Sequence, residues 1–247
     1  MRIYLKISYD GSKFQGFQQQ TSTKNTILNK LILALNALGI KDVPVGSGRT
    51  DKGVHASNQA LHLDIPPFWS DLKKLKIMLN RHLNPHIHVK KIYHVKKDFH
   101  ARFSPIKREY RYIFYHGEFS PFLSSYVHFY PSFDMERLND ILELFKGRHD
   151  FEYFKKNGSE SKNFIREIYN IKALPHKNKT IVIIQADGFL RSQIRMIISA
   201  VLKVYEGKLT HKQIKDQLDL KSIHTETLSP ANGLYLHRVF YPKDIYK

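Results

Sequence analysis

No cysteine occurs in the 247 residues. A disulfide framework and a thiolate-ligated metal are therefore excluded. No segment approaches the ~20 apolar residues that a membrane span requires. The N-terminal MRIYLKISYD alternates like a strand and lacks a signal peptide's apolar run. The expected location is the cytoplasm. Acids are scarce as well: 22 Asp and Glu face 40 Lys and Arg, which gives a formal charge of +18 and a pI of 9.8. A folded domain this basic points to a polyanionic partner, most simply nucleic acid. The plainer alternative is a generic basic protein.

What is present supports a globular protein. Apolar residues make up 42% of the chain, enough for a real core. The length fits one large domain or two small ones. The cations cluster. From Leu72 to Arg111 twelve Lys or Arg accompany only Asp98 and Glu109, with Tyr93, Phe99, Phe103, Tyr110 and Tyr112 between them. Cations for phosphates and rings for bases suit an RNA surface. Some of these rings must instead be strand core beside solvated lysines.

Periodicity predicts the elements. Ile3, Leu5, Ile7 and Tyr9 alternate with polar residues, as in a half-buried strand. Leu28, Leu31, Ile32, Leu35 and Leu38 have helical spacing, stopped by Gly39. Strands are expected over 58–65 and 88–95, flanking a helix capped by Ser70. In the second half 108–115 reads as a strand. A helix follows that is capped by Asp134 and closed by Gly147. A hairpin turns around His176–Asn178, a long helix covers 189–205, and GLYLHRVFY is a last strand. The FSPIK stretch breaks the pattern. The domains are therefore expected as 1–105, carrying the Asp loop, and 106–247. Each is an α+β half with a mostly antiparallel sheet and helices on one face.

The 188–205 helix is apolar most of the way round: Leu190, Ile194, Ile197, Val201 and Tyr205 form one stripe, and Met196, Ile198, Ala200 and Leu202 extend it. Such a helix is buried. Arg191 and Arg195 project from it. Arg191 is expected to reach solvent, and the deeper Arg195 requires a partner.

GSGRTDKGVHA, from Gly46 to Ala56, is the densest chemistry in the chain. A dinucleotide fingerprint would need glycine where Asp51 stands, and that carboxylate would repel a pyrophosphate. A Walker loop would need Lys and Ser/Thr after Gly53, where Val54 and His55 follow. Both nucleotide readings fail. The glycines instead permit a sharp turn that presents Asp51 with Arg49 two residues before it. Loop chemistry leaves two possibilities: an Asx-turn aspartate bonded to its own backbone, or an ionised carboxylate able to act as nucleophile or base.

Five blocks together resemble a known family. GSGRTDKGVHA is similar to the nucleophile motif of the A-type pseudouridine synthases, which modify tRNA. YDGSKFQGFQQQ, FHARFSPIKREYRYIFY, DGFLRSQIRMIISAVLKVYEGKLT and LSPANGLYLHRVFY resemble the family's other segments, in the family's order, between residues 9 and 241. The resemblance implies the pseudouridine synthase fold, two similar halves with the active-site cleft between them. It implies isomerisation of uridine to pseudouridine at positions 38, 39 and 40 of the tRNA anticodon stem-loop, on a flipped-out base, without a cofactor. The essential aspartate falls on Asp51, acting at C1′ or C6 or by elimination. Substrate-binding roles fall on Arg49, which helps hold the flipped state, on Tyr110, on Arg195 as the aspartate's partner, and on Leu234 with Leu236 as walls of the uracil pocket. Core packing explains the leucines nearly as well. Tyr110 and Tyr112 alternate onto one face, so at most one of them meets substrate. Homodimerisation, with one tRNA contacting both subunits, is also implied. Two departures bear on local packing: the Phe154–Tyr169 stretch lacks the cysteine often found there but keeps Arg166, and Ser199 stands where many members carry glycine.

Two rivals fit less well. A noncatalytic RNA-binding module gains nothing from a carboxylate facing RNA and would show the aromatic signatures that are missing here. A metal hydrolase built on His82, His86 and His88 is interrupted by Pro85 and has no acidic cluster.

Overall fold

The computed structural model describes residues 1–156, 158 and 163–245. The departing stretch Phe154–Tyr169 therefore lies partly outside the described residues. The chain runs β1 (Arg2–Tyr9), α1 (Ile27–Ala37), β2 (Val45–Gly46), β3 (His55–Asp64), α2 (Leu72–Leu83), β4 (Ile87–His94), β5 (Lys107–Tyr115), β6 (His128–Phe129), α3 (Met135–Glu143), β7 (Gly147–Asp150), β8 (Ile165–His176), β9 (Lys179–Ala186), α4 (Gln193–Tyr205), α5 (His211–Leu218) and β10 (Leu234–Phe240). Two compact units emerge: Met1–Arg108 with Tyr235–Lys247, and Glu109–Leu234. The expected 106–247 half thus gives up its last strand. β10 pairs in parallel with β3, at Tyr235↔His55 and Leu236↔Ala56. No helix among the described residues is long and apolar enough to cross a membrane.

In the first unit the strand order is β4-β1-β3-β10, with β2 beside β3. β1 pairs antiparallel with both β3 and β4. Alternation in β1 buries Ile3, Leu5 and Ile7. α1 contributes Ile27, Leu28, Leu31 and Leu35 to the core, and α2 packs on β4 through Leu75, Leu79 and Leu83. α1 starts at Thr26, whose side chain accepts the Asn29 N–H, and ends before Gly39, where φ is +74°. α2 is capped by Asp71 rather than Ser70: its carboxylate accepts the Lys73 and Lys74 N–H groups. A carboxylate at a helix N-terminus gains from the macrodipole as well as from the hydrogen bonds, and a serine would gain from the latter only.

The second unit orders its strands β5-β9-β8-β7, with β6 parallel to β5. β8 and β9 form the expected hairpin, turning at Lys177 with φ +51°. Asp134 caps α3 as expected, but the helix stops at Glu143. Gly147, at φ +100°, opens β7 instead of closing the helix. α4 begins at Gln193, after Ser192 in a left-handed conformation, so Leu190 and Arg191 precede the helix. Ser199 sits in α4 with its hydroxyl 2.6 Å from Thr227 Oγ1. The polar side chain is thereby satisfied where a glycine would offer no hydroxyl.

Both units secure a helix to a strand by the same device. Asn80 of α2 accepts the Val89 N–H (2.7 Å) and donates to the Val89 carbonyl (3.0 Å). Asn139 of α3 does the same at Ala173, at 2.8 and 3.2 Å. A carboxamide carries one acceptor and two donors, which match the N–H and C=O of a strand residue. Among the described residues no strand pairs with these backbone groups on that side, and pairing them removes the cost of leaving them unsatisfied.

His62 on β3 joins the sheet to the segment after β4. It is 5% exposed, and its Nδ1 accepts the Ala101 N–H at 3.0 Å. Burial, reinforced by the neighbouring His100, pushes its pKa down to about 4. The folded state thus holds His62 neutral, whereas the unfolded chain takes up a proton below the ordinary histidine value. Stability from this group is intact above pH 6.5 and is lost as the pH falls toward 4. We expect His62→Asn, which keeps an acceptor but cannot protonate, to show a smaller fall in Tm between pH 7 and pH 5 than the parent protein. Equal falls in both, measured by circular dichroism, would refute this.

Candidate active site

The Asp51 turn follows β2 and leads into β3. Val54 N–H donates to the Asp51 carbonyl at 3.1 Å, and Gly53, at φ +79°, closes the turn. The start of the loop is fixed from below. Ser47 N–H donates to the Ala60 carbonyl (2.8 Å), and Ser47 Oγ donates to Gln59 Oε1 (3.0 Å). The wholly buried Gln59 donates to the Gly48 carbonyl (2.8 Å). Arg108 adds two bonds to the Ser47 carbonyl, from Nε at 3.2 Å and Nη2 at 2.9 Å. Asp51 is half-buried and Arg49 is exposed.

The segment from Tyr9 to Phe17 wraps this turn, which is why two motifs far apart in sequence belong to one construction. Tyr9 Oη and Thr50 Oγ1 lie 2.9 Å apart in the core. Phe17 N–H donates to the Thr50 carbonyl at 3.0 Å. The Gly11 N–H donates to Nδ1 of the buried His55 at 3.1 Å. The same nitrogen lies 3.4 Å from the Asp10 carboxylate. His55 also stacks on Tyr235, with centroids 4.7 Å apart.

Space, more than backbone freedom, explains the glycines. Of Gly46, Gly48 and Gly53, only Gly53 takes a positive φ. A Cβ on Gly46 would lie 2.7 Å from the Phe17 ring, and one on Gly11 would lie 2.0 Å from the Val54 carbonyl oxygen. Sequence reading missed Gly11, Gln59 and Arg108, because their part in the turn depends on what faces them across the fold.

In the second unit β5 presents Tyr110 and Tyr112 on one face, as expected. Tyr112 is fully buried; its hydroxyl donates to the Pro230 carbonyl at 2.8 Å, and burial raises its pKa. It is a core residue. Tyr110 is 7% exposed and meets Phe189 edge-on at 5.1 Å. Arg195, half-buried on α4, donates from Nε to the Ser229 carbonyl at 2.8 Å. Arg191 is exposed. Leu234 is buried at the start of β10, and Leu236 is wholly so. Arg49 and Asp51 thus share one turn of the first unit, while Tyr110, Arg195 and Leu234 belong to the second. The three histidines have separate surroundings: His82 ends α2, His86 lies edge-on to Phe14, and His88 meets Asn84.

The Gly11 contact makes a direct prediction. Gly11→Ala should displace the Asp51 turn and cut activity sharply, with Tm lowered by several degrees, because the added methyl meets backbone that cannot rotate away. Activity and Tm both at parent level would refute the packing argument.

Residues 6–104 and 141–242 match the family described as tRNA pseudouridine synthase. The chain is 43% identical over 241 residues to tRNA pseudouridine synthase A of Campylobacter jejuni strain RM1221, covering 98% of this chain and all of that one. It is 42% identical over 243 residues to tRNA pseudouridine synthase A of Helicobacter pylori strain G27, covering 95% and 97%. Among solved structures, a chain of a Cbf5-Nop10-Gar1 complex covers 79% of this chain at 13% identity and a TM-score of 0.35, a likeness too loose to bear on the assignment. With the glycine-built Asp51 turn in place and relatives matched from end to end, this chain belongs to the tRNA pseudouridine synthase family and is an isomerase that converts tRNA uridine to pseudouridine.

Proposed function

We propose that the protein acts on uridines 38, 39 and 40 of the tRNA anticodon stem-loop, with Asp51 as the nucleophile on a flipped-out uridine. The reaction is redox neutral. The N1–C1′ bond breaks, C5 bonds to C1′, C5 loses its proton and N1 takes one up. No cofactor is needed to balance it. The protein works in the cytoplasm as a homodimer, one tRNA contacting both subunits.

The observation that carries this reading is the construction of the Asp51 turn. Backbone bonds, a buried glutamine and a glycine too crowded for any side chain hold one half-buried carboxylate in a basic protein. Preorganisation of this kind suits a reacting group. Arg49, in the same turn, is suited to a phosphate of the flipped nucleotide. Of the two tyrosines on this face, Tyr110 is the one we assign to uracil; Tyr112 bonds to Pro230. The Tyr110 hydroxyl serves in deprotonation of C5. Arg195 pairs with the aspartate, and Leu234 walls the base.

Asp51→Ala should lower turnover by on the order of 10⁴-fold or more, the scale of losing a nucleophile. tRNA binding, measured by filter retention at fixed salt, should be largely preserved. Measurable conversion by that variant would remove Asp51 from the chemistry. Tyr110→Phe should slow single-turnover conversion by on the order of 10²-fold with little change in binding. An unchanged rate would show that the hydroxyl is dispensable. Mapping pseudouridine in tRNA from cells lacking the protein tests positions 38–40 directly.

A further inference from the structure

Phe103 is 75% exposed, yet its ring is held in place. One face lies on the His100 imidazole, with centroids 4.4 Å apart and planes 25° from parallel. His100 rests in turn against the buried His62, at 4.6 Å. The turn between them is cross-braced. His100 Nδ1 accepts the N–H groups of Arg102 (3.2 Å) and Phe103 (3.3 Å), and Ser104 Oγ accepts the His100 N–H (3.0 Å). Arg108 then joins this turn to the Asp51 loop: its Nη2 donates both to the Arg102 carbonyl (2.7 Å) and to the Ser47 carbonyl (2.9 Å). An exposed ring is thus mounted on a half-buried imidazole that rests against a buried one, and it is tied to the loop that carries Asp51.

The surroundings decide what such a ring is for. The stretch from Phe99 to Arg108 holds Arg102, Lys107 and Arg108 and no acid. The Arg102 guanidinium lies 5.6 Å from the Phe103 centroid. Close by in sequence, Lys107 lies over Phe240 at 4.6 Å, and Arg238 over the same ring at 4.5 Å. Among the other strongly exposed rings of the described residues, Phe119 and Phe122 stand in a GEFSPFLSS stretch with no cation, and Phe68 stands beside Trp69 in a PPFWSD stretch that also has none. A flat ring beside cations matches a stacked base with its phosphate.

We propose that the outward face of Phe103 stacks a nucleobase of the tRNA, with Arg102 against an adjoining phosphate. The stacked base is not the one isomerised, because an open ring gives none of the enclosure that a reacting base requires. Phe103 is a positioning residue: it fixes the RNA relative to the Asp51 loop through Arg108. This rests on the tRNA reading given above.

The test uses the full-length protein, an unmodified tRNA transcript, binding at fixed salt, and single-turnover conversion at saturating enzyme. Phe103→Ala should weaken binding roughly 10- to 100-fold, the loss of one stacked base. The saturated rate should fall as well, by less than the binding, because the RNA is no longer fixed relative to the Asp51 loop. Phe103→Leu, which keeps apolar area but no π-face, should be nearly as weak, and Phe103→Trp should restore binding. Parent-level binding by the Ala or Leu variant, or failure of Trp to restore it, would overturn the proposal. If the Ala variant has a lowered Tm, the Leu and Trp pair, compared at equal Tm, still decides between stacking and mere cover. A parent protein that neither binds nor converts the transcript would count against the tRNA reading itself, so the two failures are distinct.

Discussion

The approach of Gly11 to Val54 is the contact on which the functional loop depends. No side chain, not even a methyl, fits between the Gly11 α-carbon and that carbonyl. Because the two backbones meet, the Tyr9–Phe17 segment can reach Thr50 from two sides, by the Tyr9 hydroxyl and the Phe17 N–H. It also places the Gly11 N–H within hydrogen-bond distance of His55 Nδ1. The Asp51 turn is therefore a packed element rather than a loop in solvent, and a carboxylate on it has a defined position. Reaction at a defined carbon atom requires such a position.

A second constraint is the satisfaction of buried polar groups. Gln59 is wholly buried and spends its amide on Ser47 and Gly48. Asn80 and Asn139 each close the open edge of a strand. His62 holds the segment after β4 and must stay neutral to do so. These residues contribute less as independent bonds than as conditions on the packing: each leaves an orphaned donor or acceptor if its partner moves, at a cost of about 1–3 kcal/mol. The Arg108 side chain, with bonds to Ser47 and Arg102, extends the same logic from the core to the turn that carries Arg102.

Much of the fold was legible because alternation and helical spacing are local. β1, α1, β5, the β8–β9 hairpin and the Asp134 cap follow from their own residues. The errors occurred where two local signals competed. Ser70 and Asp71 both could cap α2, and the dipole favoured the acid. The apolar run before Gln193 matched a helix, yet Ser192 adopts φ +59° and delays its start. The last strand groups with the first unit, a difference from the expected boundary, because chain order says nothing about which strand a returning strand pairs with.

By itself, the sequence determined the charge, the α+β composition, the motif order and the identity of Asp51 as the residue around which the glycine loop is built. Those properties reside in residue types and short spacings. Only the tertiary structure decided which glycine serves backbone conformation and which serves space, which of two tyrosines on one face is spent on the core, and which exposed ring is braced by the imidazoles beneath it. Each of these depends on atoms brought together from distant parts of the chain, and spacing along a sequence carries no record of what faces a residue across a packed interior.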